Sequence, residues 1–304
     1  MSLPLPLGSA GPYELRTRLA AGGMGEVFLA ADRSVEGVER LVVVKRLFDS
    51  FARQAAVAAM FEHEAWLLSA MAHPIIPQVY AYGRHERAPY IAMEYSPGTD
   101  LSAVLAGGAP VPLEHAIAIA VQLLEGLAHV HERPGSDGRP LEVVHRDVSP
   151  GNIRLGPDGW LTLLDFGVAQ STLRPAARDD TRGCPGYIAP EVILGEVPDA
   201  RADLFAATVV LHEMLAGERL FPGGALPAMQ ATMEAEIAPP SRRVPSIPPR
   251  VDELVLRGLA RDPGARFATA DAMVAALEDA ALAAGVNPSR RRLAAWLGTA
   301  PKAT

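Results

Sequence analysis

A change of pattern at Ser96-Pro97-Gly98 constrains the fold of this chain more than any other feature. Before it, residues 13–20, 25–31 and 40–47 are rich in β-forming side chains and are separated by glycine or acidic turns. Two more short strands are predicted around 78–82 and 90–95. One Ala/Leu/Glu-rich stretch with helical spacing, 51–71, lies among them and is stopped by His73-Pro74. After the break the chain turns mainly helical, at 101–105, 113–131, 203–216, 226–236, 251–261 and 269–283. A loop-rich stretch, 144–191, carries short strands around 153–155 and 161–164, and no internal repeat is present. A small β-rich part, a short hinge and a larger helical part predict an α+β chain of two lobes. Small ligands favour the cleft at such a boundary.

Composition narrows the function. Hydrophobic residues make up 49% and charged residues 21%, an ordinary globular balance. A net charge of -7 argues against a general nucleic-acid binder. The single cysteine, Cys184, excludes an internal disulfide and fits a reducing compartment. The longest apolar stretch, 116–130, is interrupted by Gln122 and Glu125 and is short of the roughly 20 residues that cross a bilayer. The opening MSLPLPLGSAGP lacks the basic region and apolar core of a signal peptide. A cytoplasmic chain with no membrane span is therefore expected.

One bias is more informative. Of 28 basic residues only Lys45 and Lys302 are lysines, and the only asparagines are Asn152 and Asn287. A chain this rich in arginine keeps an interior lysine where the wide guanidinium fork cannot replace a compact ammonium. Lys45 ends the run Val42-Val43-Val44, and Glu64, in the following predicted helix, is a candidate ion-pair partner. Upstream, Ala20-Ala21-Gly22-Gly23-Met24-Gly25-Glu26-Val27 forms a glycine-rich turn between strands. Without Cβ atoms, its backbone N–H groups can approach phosphates closely. Alone that turn is weak evidence.

The strongest segment is Val144-His145-Arg146-Asp147-Val148-Ser149-Pro150-Gly151-Asn152, followed by Leu164-Asp165-Phe166-Gly167. Two carboxylates and an amide on adjacent loops make an oxygen-rich magnesium site and leave one carboxylate for a nucleophile. Mg²⁺ prefers one or two carboxylates plus substrate phosphates, and phosphoryl transfer needs mainly positioning and charge neutralisation.

With Ala189-Pro190-Glu191 downstream and the lysine and glycine loop upstream, these segments resemble the protein-kinase signature. The chain is similar to the bacterial branch of eukaryotic-like Ser/Thr kinases, and its HRDVSPGN wording to kinases common in myxobacteria. The likeness covers about residues 13–282. It implies a bilobal kinase fold with an N-lobe at 13–95, carrying one helix, a hinge at 94–98 and a mainly helical C-lobe at 99–282. Residues 1–12 would be a tail and 283–304 a short extension. It also implies ATP and Mg²⁺ as cofactors, protein substrates, autophosphorylation, and self-association through the N-lobe or activation loop. Gly22, Gly23, Gly25 and Val27 would cover the phosphates. Lys45 would hold the α/β-phosphates and pair with Glu64. Asp147 would accept the hydroxyl proton, and Asn152 and Asp165 would hold magnesium. Met93 would be the gatekeeper, with Glu94, Tyr95 and Ser96 reading adenine. Glu191 and Arg266 would form a buried ion pair, and Asp203 would brace the catalytic loop.

The sequence departs from the family pattern at six places. Ala20 replaces the first loop glycine, and Val43 the alanine over adenine. Ser149 replaces a lysine near the γ-phosphate, Arg154 the apolar residue under adenine, Cys184 a threonine and Thr208 a helix glycine. Arg154 is expected to stack on the base. A nucleotide-binding pseudokinase that signals as a scaffold stays open beside an active Ser/Thr kinase. In the loop 165–191, Asp180 falls where a phosphorylated threonine commonly faces the arginine before the catalytic aspartate, here Arg146, and Thr181 is the expected phosphosite. Residues 290–297 read as a short helix capping the large lobe, or as a docking segment.

Overall fold

The computed structural model describes residues 7–34, 37–135, 137–172 and 182–299. The chain divides into two compact units. One comprises the chain up to Ala72 with Ile76–Ser96; the other comprises His73–Ile75 with the chain from Pro97 onward.

The first unit is a six-stranded antiparallel sheet of β1 (Gly8–Ala10), β2 (Tyr13–Ala21), β3 (Gly25–Asp32), β4 (Arg40–Leu47), β5 (Val79–His85) and β6 (Ala88–Glu94). Its order is β1-β2-β3-β4-β6-β5. Strand β1 lies within the segment expected to be a tail: residues 8–10 pair with β2, and Ala10 is fully buried. The predicted helix at 51–71 is two helices, α1 (Asp49–Ala52) and α2 (Ala55–Ala70). Gln54 between them is extended.

Two-residue alternation sorts the sheet's faces. Val42 and Val44 of β4, with Tyr90 and Ala92 of β6, join Tyr13, Leu15 and Phe28 in one apolar cluster. Leu47, Ile91 and Met93 point the other way and pack with Val43, Phe61 and Ala65. Lys45 shares the parity of Val43 and Leu47, so its side chain rises on the face that α2 covers.

In the second unit, β7 (Thr99–Asp100), β8 (Ile153–Leu155) and β9 (Leu161–Leu163) form a small sheet. The helices are α3 (Leu101–Leu105), α4 (Leu113–His131), α5 (Pro190–Ile193), α6 (Ala200–Ala216), α7 (Ala225–Glu234), α8 (Pro249–Gly258), α9 (Ala270–Ala283) and α10 (Arg290–Thr299). Helix α6 is the centre: every residue from Ala202 to Ala216 is buried. Asp199 caps its N-terminus by accepting the Arg201 N–H at 2.8 Å, and Gly217 ends it in the left-handed region. Thr208 is tolerated there because its hydroxyl donates to Leu204 O at 2.6 Å and α8 offers it Gly258. A Cβ at Gly258 would collide with the Thr208 hydroxyl.

Helix α4 packs against α6 and α9. By length and composition it could cross a membrane, but 72% of its apolar window is buried inside this unit, as befits a core helix. The short piece His73–Ile75 docks on it. Ile75 O accepts from Leu163 N at 2.7 Å, and the His73 ring stacks on His129 at 5.2 Å.

Candidate active site

Among the residues singled out from sequence, Gly22, Gly23, Gly25, Val27, Val43, Lys45, Glu64, Met93, Glu94, Tyr95 and Ser96 belong to the first unit. Asp147, Asn152, Arg154 and Asp165 belong to the second.

In the first unit the glycines divide by role. Gly25 is required by packing, since a Cβ there would strike the Arg46 carbonyl. Gly22 and Gly23 meet no such wall, although Gly22 N–H donates to Gly25 O at 2.9 Å. Val27 pairs with Lys45 across β3 and β4, and Val43 with Met93 across β4 and β6. Lys45 Nζ reaches both Glu64 oxygens, at 2.7 and 2.9 Å. The Glu64 side chain is 3% exposed and that of Lys45 24%, so this is not the loose surface pair that two adjacent charges usually make. Glu94 closes the strand register: its N–H donates to Gln78 O at 2.9 Å.

In the second unit the catalytic-loop segment is hung from α6. Asp203 Oδ2 accepts from His145 N and Oδ1 from Arg146 N, both at 2.8 Å. His131 Nε2 lies 2.8 Å from the same carboxylate. Burial pushes the Asp203 carboxyl up, but the His131 hydrogen bond, the nearby His131 and His145 rings and the Arg146 N–H outweigh it and hold the pKa below the usual aspartate value. Arg146 can therefore adopt φ 70, which turns the chain sharply into Asp147.

Asp147 is fixed from two sides. Its Oδ2 accepts from Asn152 Nδ2 at 2.8 Å and its Oδ1 from the Cys184 N–H at 2.7 Å. Burial pushes its carboxyl above the ordinary aspartate value; His145, the Asn152 amide and the Cys184 N–H oppose this, while Asp165 adds to it. Asn152 and Asp165 are held together by backbone, since Leu164 N donates to Asn152 O at 2.8 Å. Asp165 sits at φ 60, with Oδ1 accepting from Gly167 N at 3.1 Å. Phe166 is buried against His145, ring to ring at 4.5 Å and near-perpendicular. His145 Nε2 lies 3.2 Å from Leu164 O.

These donors fit Mg²⁺. Asn152 spends its Nδ2 on Asp147, so its carbonyl oxygen and the Asp165 carboxylate would be two hard oxygens for the ion, which substrate phosphates would complete. No group of three or more His, Cys, Asp or Glu side chains among the described residues could hold a metal by itself.

Several departures from the family pattern have structural answers. Ser149 and Cys184, in place of lysine and threonine, are buried and half-buried, and burial pushes the thiol pKa up. With Cys184 the anchor to Asp147 is a backbone N–H, which any non-proline residue supplies. Arg154 Nε and Nη2 both engage Asp100 Oδ1, at 2.9 and 2.8 Å, across β7 and β8. Its guanidinium is thus held from its edge by a neighbouring strand. Glu191 and Arg266 form a two-pronged buried pair at 2.8 and 2.6 Å. Asp180 and Thr181, expected to switch the site through Arg146, lie outside the described residues, as does Lys302.

Sequence reasoning missed His131, Asp100 and the Cys184 N–H. His131 ends a helix 72 positions from its partner Asp203. Only the folded chain brings such groups together.

The protein kinase domain family matches this chain over residues 13–276. The Tyrosine-protein kinase MasK of Myxococcus xanthus is 38% identical over 275 residues, covering 88% of this chain and 43% of that protein. The Serine/threonine-protein kinases PknB of Mycolicibacterium smegmatis and PrkC of Bacillus subtilis are 34% and 30% identical, over 87% and 92% of this chain and 42% of each relative. Among solved structures, the Mycobacterium tuberculosis PknI kinase domain, as a C20A_R136A double mutant, superposes with a TM-score of 0.68 at 25% identity. It covers 92% of this chain and 100% of its own. The chain belongs to the protein kinase domain family. It spans less than half the length of these curated relatives.

Proposed function

We propose that this chain transfers the γ-phosphoryl group of ATP to serine or threonine hydroxyls of proteins, including its own. The observation that carries the reading is the state of Asp147: a desolvated carboxylate, held by an amide and an N–H on a loop suspended from a buried aspartate. A carboxyl with a raised pKa is a better base for the substrate hydroxyl than an exposed one. As the hydroxyl oxygen forms its bond to the γ-phosphorus, the bond to the ADP oxygen breaks. Asp147 takes the hydroxyl proton. Lys45, oriented by Glu64, would neutralise the α/β-phosphates, with Gly22, Gly23, Gly25 and Val27 over them. Val43, Met93, Glu94, Tyr95, Ser96 and Arg154 would surround adenine. Asn152 and Asp165 would hold Mg²⁺, which supplies charge neutralisation on the transferring group.

The presence of Lys45, Glu64, Asp147, Asn152 and Asp165, with the pairs they form, favours transfer over a scaffold that only binds nucleotide. The choice of serine and threonine follows relatives with that name, whereas the Myxococcus xanthus relative is named for tyrosine. A cytoplasmic location is part of the proposal. Incubation with labelled ATP and Mg²⁺, followed by phosphoamino-acid analysis beside Asp147→Asn, tests it. Label on serine or threonine, lost in the variant, is expected. Label on tyrosine alone would overturn the acceptor class, and no label in wild type would overturn transfer.

A further inference from the structure

The loops carrying Asn152 and Asp165 are the two ends of one hairpin: β8 starts at Ile153, and β9 ends at Leu163. The tip of that hairpin, residues 156–160, is gripped from two sides. From α4, the buried Gln122 donates to Gly159 O at 3.1 Å and accepts from Leu161 N at 3.1 Å. From the other side comes the first turn of α10. Gly159, at φ +82, lies directly beneath it: a Cβ there would collide with Arg290 O and come within 3.1 Å of Ala294 N. Arg290 lies over the Trp160 ring at 4.7 Å, and its Nη1 donates to Asp158 O at 3.1 Å. Helix α10 is itself pinned to the body of the unit. Leu293 is fully buried, Trp296 stacks on His115 at 5.1 Å, and Arg292 pairs with Glu114 at 3.0 Å.

From this geometry we infer that α10 is a positioning element for the metal-binding loops, with Gly159 and Arg290 as its points of contact. It closes the hairpin tip and so fixes the register in which Leu164 N–H meets Asn152 O. The inference rests on the phosphoryl-transfer reading for the identity of the metal site. It adds that residues far along the chain set that site's readiness for Mg²⁺. Arg290 makes its contacts with Trp160 and Asp158 of the turn. It acts through the turn.

The test uses the full chain and two readouts that do not depend on transfer. Leu293→Asp removes the buried anchor of α10. Val255→Ala, at a fully buried position in α8 away from the hairpin, is the control for general loss of stability. Hydrogen exchange is followed over residues 156–164 in metal-free protein. The Mg²⁺ concentration for half-maximal binding of a fluorescent ATP analogue is measured separately. Leu293→Asp is expected to speed exchange in that segment about tenfold, a shift of about 1.4 kcal/mol in local opening. It should also raise the Mg²⁺ requirement about three- to tenfold, while Val255→Ala leaves both near wild type. Either quantity staying at its wild-type value in Leu293→Asp, or moving equally in the control, overturns the inference. If Leu293→Asp does not fold, the exposed substitution Arg290→Ala decides, with a shift of about twofold expected in both quantities and overturning if absent. Because neither readout needs catalysis, a wild-type protein that binds Mg²⁺ and the analogue but transfers no phosphate would sink the transfer reading alone.

Discussion

At the scale of single residues, the chemistry turns on groups that this arginine-rich chain has not replaced. Lys45 engages both oxygens of Glu64 from the α2-facing side of β4. Lys45→Arg keeps the charge, but a planar fork cannot reproduce a point charge at the end of a four-carbon stem. Phosphoryl transfer is expected to fall at least about a hundredfold. An active Lys45→Arg variant would remove Lys45 from its assigned role. Asp147 makes a second expectation. It works as a base only when deprotonated, and burial raises its pKa, with Asp165 reinforcing the rise. As pH falls, activity should fade through a value above the ordinary aspartate pKa of about 3.9. A profile of kcat/KM against pH on stable protein would show this limb. A limb at or below the ordinary value would contradict the burial argument. Arg154 is a third case. Its guanidinium is tied to Asp100, so Arg154→Leu releases a carboxylate as well as removing a cation. Stacking on adenine is worth about 0.5–2 kcal/mol by analogy with cation–π contacts, so its loss would weaken nucleotide binding by no more than about thirtyfold. Tighter binding of the analogue to Arg154→Leu would identify the arginine as an obstruction.

At the scale of elements, one carboxylate organises the second unit's active loop. Asp203 lies in the first turn of α6 and gathers two backbone N–H groups and His131. Its native pKa is lowered, so its contribution is present above the unfolded value and is lost as pH drops through the native one. Asp203→Ala strands buried donors and should cost about 3–5 kcal/mol in denaturant unfolding, far more than an exposed substitution. A cost below about 1 kcal/mol would mean that the loop holds itself. Such contacts explain what the sequence could and could not disclose. Strand β4 and helix α4 were legible to the residue because alternation and helical periodicity repeat over eight and nineteen positions. The break at Arg53-Gln54 was not, since both are good helix formers and nothing in their residue types marks the extended Gln54. Likewise Lys45, Asp147, Asn152 and Asp165 could be singled out because the proposed phosphoryl transfer restricts the residue types at such positions. The Cys184 N–H that holds Asp147 is invisible, because a backbone donor leaves no mark on residue identity. Strand β1 escaped notice because three residues are too few for a pattern.

At the scale of the whole chain, the two units contrast in what they bury. The first keeps its buried polar groups in or near ion pairs, as with Glu64 and with Asp32, which accepts from Arg40 at 2.7 Å. The second also holds a set of buried and half-buried imidazoles. His73, His115, His129 and His212 all have pKa values lowered from the usual histidine value, burial being the largest cause in each. Like-sign neighbours add to it for two of them, His129 beside His73 and Arg133 beside His129, whereas at His115 the Glu114 carboxylate opposes burial more than the Arg292 guanidinium assists it. A base whose native pKa is lowered binds fewer protons folded than unfolded, so stability rises with pH in its titration range. The contribution is complete above the unfolded value of about 6.5 and shrinks as pH falls below it. Carboxyls with raised pKa values, Glu125 and Glu213, act in the opposite sense: the folded state takes up their protons first as pH falls toward the raised values, which opposes part of the loss. The melting temperature should therefore be flat from about pH 8 to 7 and fall steadily between about 6.5 and 5.5. His212→Gln should make that fall shallower, since one of the four protonation steps would be gone. Its ring has Nε2 3.0 Å from Ala238 O, a bond that an amide side chain can replace. A melting temperature constant across the interval, or an unchanged slope in a stably folded His212→Gln, would show that these rings take up protons without opening the second unit.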